Sequence, residues 1–203
     1  MITIIDYNAG NLTSVKRALT HLGIDCEITG EPKKIASAKR IIFPGVGNAA
    51  SAMQNLSSGG IAAAIKEAVR AGTPFFGICL GMQIMLSHSG EGDVDCLGLF
   101  GGTVRLLKPA DRTLKIPHMG WDSLKYCKKH AIFDGIDPRS EFYFVHSFYA
   151  DPTDKNDVIA LSDHGAEFAA VIGRGNMFAS QFHPEKSGEA GLKMLKNFAE
   201  WKV

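Results

Sequence analysis

The chain has 203 residues, with 22 Lys or Arg against 21 Asp or Glu and a formal net charge of +1. That balance offers no basic face to a phosphodiester backbone, so nucleic acid is not an expected partner. At 45% hydrophobic and 21% charged residues the composition is that of an ordinary folded domain and not of a disordered chain.

The length sits at the upper end of what one hydrophobic core serves. No linker, charge block or internal repeat interrupts it, so a single domain over 1–203 is expected. The cysteines Cys26, Cys79, Cys96 and Cys127 are widely spaced and form no CxxC pair. This argues against a disulfide framework or a zinc site and fits a reducing cytoplasm. The opening MITIIDYNAG has no basic n-region, and Asp6 breaks its short apolar run. No apolar stretch approaches the length of about 18 residues that a membrane helix needs, so neither export nor insertion is expected.

In chain order, Ile2, Ile4 and Ile5 read as a buried strand. Asn11 offers an N-cap to a helix whose apolar stripe is Leu12, Val15, Leu19 and Leu22, ended by Gly23. Ile41 to Phe43 is a second strand, closed by Pro44-Gly45. A helix carries Ile61, Ala64, Ile65, Ala68 and Val69; Pro74 to Ile78 reads as a strand and Met82 to Leu86 as the start of a helix. Continuous apolar strands separated by helices describe a parallel sheet covered on both faces. From about Leu97 the text becomes Gly-punctuated and strand-rich, with runs at Thr103 to Leu107, Phe142 to Phe148, Val158 to Leu161, Phe168 to Ile172 and Met177 to Ser180. These read as antiparallel, before a closing helix from Gly188.

Two short segments carry chemistry. In Gly77-Ile78-Cys79-Leu80-Gly81 a strand runs into Gly-x-Cys-x-Gly and then a helix, the layout of a nucleophile elbow with Cys in place of Ser. The glycines permit a sharp bend that lifts the Cys79 side chain clear. A helix N-terminus favours thiolate, and the Leu80 amide stands ready for an oxyanion. The second segment is Gln181-Phe182-His183-Pro184-Glu185. In an extended segment residues two apart share a side, so Glu185 reaches His183 and can orient it as a base for Cys79. Taken singly, each segment has a plainer reading, as a small buried Cys in a Gly-rich turn and as a surface turn. Gly45-Val46-Gly47-Asn48-Ala49-Ala50 loosely matches a dinucleotide fingerprint, but no acidic residue closes a strand about 20 positions on. His21, His88, His130 and His164 stand alone and read as surface or capping residues.

Together the two segments resemble the class I, or triad, glutamine amidotransferases. Five further motifs resemble the glutaminase-subunit branch that serves imidazole glycerol phosphate synthase: Asp6-Tyr-Asn-Ala-Gly-Asn-Leu12, Pro44-Gly-Val-Gly47, Pro117-His-Met-Gly-Trp121, Tyr143-Phe-Val-His-Ser147 and His183-Pro-Glu-Lys-Ser187. Two positions depart from that pattern: Asp122 stands where Asn is expected and Ala9 where Gly is frequent. Asp122 bears on partner-facing detail.

The resemblance implies a flavodoxin-like α/β fold, with a mainly parallel sheet and an antiparallel second half. It also implies a glutaminase needing no cofactor or metal. Cys79, His183 and Glu185 would form the triad, Leu80 and Val46 the oxyanion donors, and Gly47, Gln83, Glu91, His146 and Ser147 the glutamine contacts. The implied partner is a cyclase subunit, a (β/α)8 barrel, met through Asn11, Trp121 and Lys186; the plain alternative puts Trp121 in the core. Two rival functions remain: another cysteine hydrolase of this fold, such as a γ-glutamyl hydrolase or peptidase, and a catalytically silent binding subunit.

Overall fold

The computed structural model describes every residue except Ala9 and Arg112, so the departure at Ala9 lies outside the described residues. The first half builds β1 (Ile2–Ile5), α1 (Leu12–His21), β2 (Cys26–Thr29), α2 (Pro32–Ala36) and β3 (Ile41–Gly45). It continues with α3 (Ala49–Ser58), α4 (Ile61–Arg70), β4 (Phe75–Cys79) and α5 (Leu80–Gln83). Two elements expected here differ. Asn11 occupies the N-cap position of α1, but its side chain caps nothing. The helix expected from Met82 to Leu86 is one turn, Leu80–Gln83. Helix α3 escapes the periodicity reading because small and polar residues dilute its stripe of Ala49, Ala52, Met53 and Leu56. Its start signal is present: the Asn48 side chain accepts from the amides of Ala50 and Ser51.

The second half contributes β5 (His88–Ser89), β6 (Val94–Asp95), β7 (Gly102–Leu106), β8 (His118–Ser123), β9 (Lys125–Tyr126) and β10 (Glu141–His146). These are followed by β11 (Phe148–Pro152), β12 (Val158–Asp163), β13 (Glu167–Arg174), β14 (Met177–Ser180) and α6 (Gly188–Glu200). The run expected from Phe142 to Phe148 breaks at Ser147 into β10 and β11, which join different sheets.

The main sheet has eight strands in the order β2-β1-β3-β4-β14-β13-β12-β9. Strands β2, β1, β3, β4 and β14 run parallel, and β13, β12 and β9 alternate beyond them. Strand β14 is a correction: it pairs antiparallel with β13 but parallel with β4. The sequence shows only its tight turn to β13 at Gly175-Asn176 and nothing of its far neighbour.

Period-two alternation divides the core between the two faces of this sheet. Ile41, Phe43 and Phe75 face a cluster closed by α3 and α4, while Ile42, Phe76 and Ile78 face one closed by α1 and α6. Phe76 is fully buried, its ring centroid 5.0 Å from Phe178 and 5.2 Å from Phe198, so one ring ties β4 to β14 and α6. Truncating such a ring costs about 3–5 kcal/mol, part transfer and part cavity. That rigidity matters because β4 ends at Cys79 and β14 leads into the His183 segment.

Candidate active site

Three neighbouring parallel strands end side by side. In register, Gly45 of β3 stands beside Cys79 of β4, and Ser180 of β14 beside Ile78. The carboxyl ends of β3, β4 and β14 therefore deliver the Pro44-Gly-Val-Gly47 loop, the cysteine elbow and the His183 segment to one place, where ligands of open α/β sheets bind.

Cys79 closes β4 at φ 55°, ψ −113°, a conformation that L-residues rarely adopt. Such backbone costs about 1–3 kcal/mol and persists only where its surroundings impose it. Here β3 imposes it. A methyl group on Gly81 would collide with the Phe43 carbonyl oxygen, and one on Gly45 would stand 2.7 Å from the Gly81 amide nitrogen and 2.6 Å from the Tyr7 hydroxyl. The elbow and the β3 loop are pressed together at a spacing only hydrogen allows. Helix α5 is a single turn, so no long helix stands behind the elbow. Gln181, fully buried, donates from Nε2 to Cys79 Sγ at 3.6 Å.

His183 and Glu185 meet as expected, Nδ1 to Oε1 at 2.9 Å, with both side chains almost fully buried. The reason differs from the extended geometry expected. His183 is extended, but Pro184–Lys186 is a 3-10 turn that swings Glu185 back under the ring. The segment is pinned from β10: the His183 amide donates to the Tyr143 carbonyl, the Ser187 hydroxyl to the His183 carbonyl, and the Tyr143 amide to that hydroxyl. With Nδ1 committed to the carboxylate, Nε2 is buried without a hydrogen-bond partner among the described residues. Burial alone pushes the imidazole down, but the Cys79 sulfur and the Glu185 carboxylate outweigh it and push His183 up to about 10. The proton is held on the ring, beside the sulfur.

A pocket of about 350 Å³ opens here. Val46 and Gly47 line it from the β3 loop, Cys79, Leu80 and Gln83 from the elbow, and His183 from beyond β14. Glu91 and the His146–Ser147 pair complete the expected set, and Glu185 stands behind His183. Within this set the structure redistributes tasks. The Gln83 amide nitrogen donates to the Phe148 carbonyl at 2.7 Å and to Gln181 Oε1 at 3.0 Å, so Gln83 braces the residue that holds the sulfur. Glu91 Oε2 accepts from the Ala49 amide at the start of α3. Both ring nitrogens of His146 are taken, Nδ1 by the Phe148 carbonyl at 2.9 Å and Nε2 by His118 at 3.2 Å. Sequence reading gave no role to Gln181, Ser187 or Tyr7. All three lie inside quoted motifs, but a motif does not say which of its members bear on the sulfur.

Desolvation is the main force on His146 and pushes it down to about 3, so it is neutral at pH 7. The unfolded chain, with histidine near 6.5, binds that proton more readily. Stability carried by the neutral ring is therefore present above pH 6.5 and lost as pH falls toward 3. Between pH 7 and pH 5 His146 is expected to remove roughly 2 kcal/mol of unfolding free energy. Urea melts at the two pH values check this; a His146→Gln protein should show a smaller pH-dependent loss.

Comparison with known proteins shows the family and the fold. Residues 3–201 match the family described as glutamine amidotransferase class-I. "Imidazole glycerol phosphate synthase subunit HisH" of Nitratidesulfovibrio vulgaris strain Hildenborough is 47% identical, covering 98% of this chain and 95% of the relative. The chain belongs to the HisH family of class I glutamine amidotransferases. The HisH subunits of Moorella thermoacetica, at 48% identity over 98% of this chain and 94% of theirs, and of Neisseria meningitidis, at 43% over 98% of both, are similar to the same extent. Among solved structures, a glutamine amidotransferase shares the fold at TM-score 0.76 and 18% identity, covering 98% of each chain. PurLQS from Thermotoga maritima does so at TM-score 0.75 and 22% identity, covering 98% of this chain and 97% of its own. The expected amidotransferase fold is thus the fold found. Among the described residues of this HisH family member, no helix is long and apolar enough to cross a membrane.

Proposed function

We infer that this enzyme is the glutaminase subunit of imidazole glycerol phosphate synthase, acting as one domain over 1–203 in the cytoplasm without a cofactor. The observation that carries the reading is the buried Cys79, His183 and Glu185 assembled at one pocket in a chain almost half identical to named HisH subunits. In this reading the Cys79 thiolate attacks the side-chain amide carbon of glutamine. The Leu80 and Val46 amides receive the oxyanion. Collapse breaks the C–N bond, and His183 gives its proton to the leaving ammonia. The attack has by then neutralised the sulfur, so its charge no longer holds that proton and His183 is a better acid for the leaving nitrogen. Water then attacks the thioester, His183 takes its proton, and glutamate leaves. Gly47, Gln83, Glu91, His146 and Ser147 shape the pocket around glutamine. For His146, which has no free ring nitrogen, the contribution is the wall it forms. The γ-glutamyl hydrolase reading is not favoured, since the full-length relatives are synthase subunits.

Ammonia released at Cys79 has to reach a second active site, and the proposed recipient is a cyclase subunit, a (β/α)8 barrel docked over the pocket. The surface beside the pocket suits a partner. Met119 and Trp121, two apart and so on one face of β8, are 63% and 50% exposed, and Val46 is 40% exposed. Trp121 is therefore not a core residue. Its ring meets Tyr143 edge-on at 5.8 Å, and Lys186 Nζ lies 5.8 Å from the same Tyr143 ring, so the two proposed contacts share one platform. Asn11, half-buried with no capping bond of its own, is the third.

The test measures glutamate release by the isolated chain, then with the cyclase, then with the cyclase and its nucleotide ligand. Weak activity that rises on addition supports the reading; full turnover alone, unaltered by the cyclase, contradicts it. Trp121→Ala is expected to weaken the complex about tenfold or more, as loss of an aromatic anchor does. Its melting temperature should barely move, because the ring is half in solvent.

A further inference from the structure

The Cys79 sulfur has a neighbour to which the reaction proposed above gives no part. Gln181 follows β14, is fully buried, and donates from Nε2 to Cys79 Sγ at 3.6 Å. Its backbone amide donates to the Ala170 carbonyl at 2.8 Å, which fastens it to β13. Its side-chain oxygen accepts from Gln83 Nε2 at 3.0 Å, and that nitrogen also donates to the Phe148 carbonyl at 2.7 Å. A chain of three hydrogen bonds therefore runs from the start of β11 to the sulfur.

Counting hydrogens along this chain fixes which end of each amide faces which neighbour. A carbonyl oxygen only accepts, so the nitrogen of Gln83 is the atom that meets Phe148. The same nitrogen gives its second hydrogen to Gln181, so Gln181 must turn its oxygen toward Gln83. That leaves the Gln181 nitrogen for the sulfur. An amide nitrogen only donates. The chain thus delivers an N–H to Sγ and gives a thiol hydrogen nothing to bond; the Val145 carbonyl stands farther off, at 4.0 Å. A hydrogen bond to an ionised partner is the stronger kind, the more so in buried surroundings, so this contact favours sulfur in its charged form.

We propose that Gln181 is a further catalytic residue of the glutamine reaction, its Nε2–H binding the Cys79 sulfur whenever that atom carries negative charge and its orientation held by Gln83. The inference rests on Cys79 as the nucleophile. Charge sits on the sulfur twice in the cycle. In the resting site the N–H holds the thiolate that attacks glutamine. In the second half, water bonds to the thioester carbon and gives its proton to His183. The intermediate then collapses, the C–S bond breaks, and its electron pair returns to the sulfur, where the same N–H receives it. In the thioester between these steps the sulfur is neutral and a weak acceptor. Both hydrogens of the Gln83 amide are spent in the chain, so its oxygen is the atom left to meet glutamine in the pocket it lines.

Alkylation of Cys79 by iodoacetamide across pH, followed on the Cys79 peptide by mass spectrometry, tests the pairing without glutamine. Gln181→Met keeps the length of the side chain and has no N–H to give. The midpoint of its alkylation profile should rise by about one pH unit or more, as loss of a hydrogen bond to a charged group implies. Its glutamate release should fall about tenfold or more. Gln181→Glu, near-isosteric, should move the midpoint the same way, since an oxygen replaces the donor beside the sulfur. A measurement on the unaltered residue covers a variant that fails to fold. In nitrogen-15-labelled protein the Gln181 side-chain amide signals should shift with pH through the parent's alkylation midpoint and lose that shift in Cys79→Ala. Midpoints equal to the parent's in both variants, or Gln181 signals indifferent to the sulfur, would overturn the proposal while an active parent keeps the reaction of Cys79. A parent inert toward glutamine would overturn that reaction and with it any catalytic part for Gln181.

Discussion

Cys79→Ala is expected to lower glutamine hydrolysis by at least about 10⁴-fold, since removing a nucleophile leaves only binding and oxyanion stabilisation. The fold should survive. Alanine meets the same backbone restriction at φ 55° as cysteine, is smaller, and leaves Phe76, Gly81 and Gly45 in place. The loss is therefore chemical and not structural, and near-identical melting curves for the two proteins check that point. A glutamine analogue with an electrophilic carbon should add its mass to Cys79 alone. Cys96 is a poor competitor because burial, then Asp95, push its thiol up to about 11, and burial pushes Cys26 up as well. Cys127 is exposed, so it is the thiol that a reagent without glutamine's shape would find. Labelling at Cys127 or full activity in Cys79→Ala would remove Cys79 from the mechanism.

The second large effect separates the base from its orienter. His183→Ala should cost about two orders of magnitude more activity than Glu185→Gln, because the imidazole moves protons while the carboxylate holds and stabilises it. Glu185→Gln is still expected to be costly. Its Oε1 accepts from Nδ1 at 2.9 Å between two side chains that are almost fully buried. An amide there can present a donor instead and turn the ring to the wrong tautomer. Single-turnover glutamate release with both variants resolves the order; equal activities, or a fully active His183→Ala protein, would contradict the triad.

The sequence by itself pointed to the chemistry proposed for Cys79, His183 and Glu185. Gly77-x-Cys79-x-Gly81 reads as an elbow because glycines flank the cysteine where a strand gives way to a helix, although the contact that demands hydrogen at Gly81, the Phe43 carbonyl oxygen, comes from distant β3. The parallel half was equally legible, since Ile41–Phe43 and Phe75–Ile78 are apolar without interruption and such strands are buried on both faces. Helix α1 was readable from its stripe, and α3 was not, because small and polar neighbours dilute its buried Ala49, Ala52, Met53 and Leu56.

What the chain could not reveal alone is adjacency between distant segments. The pairing of β14 with β4 brings His183 to Cys79 across about a hundred positions, and no local pattern encodes a strand's far neighbour. The same holds for Gln181 on the sulfur, Ser187 on β10 and His164 against His118. Hydrogen bonds and ring contacts of this kind act over a few ångströms. They exist only once hydrophobic burial has closed the sheet and set the register of its strands.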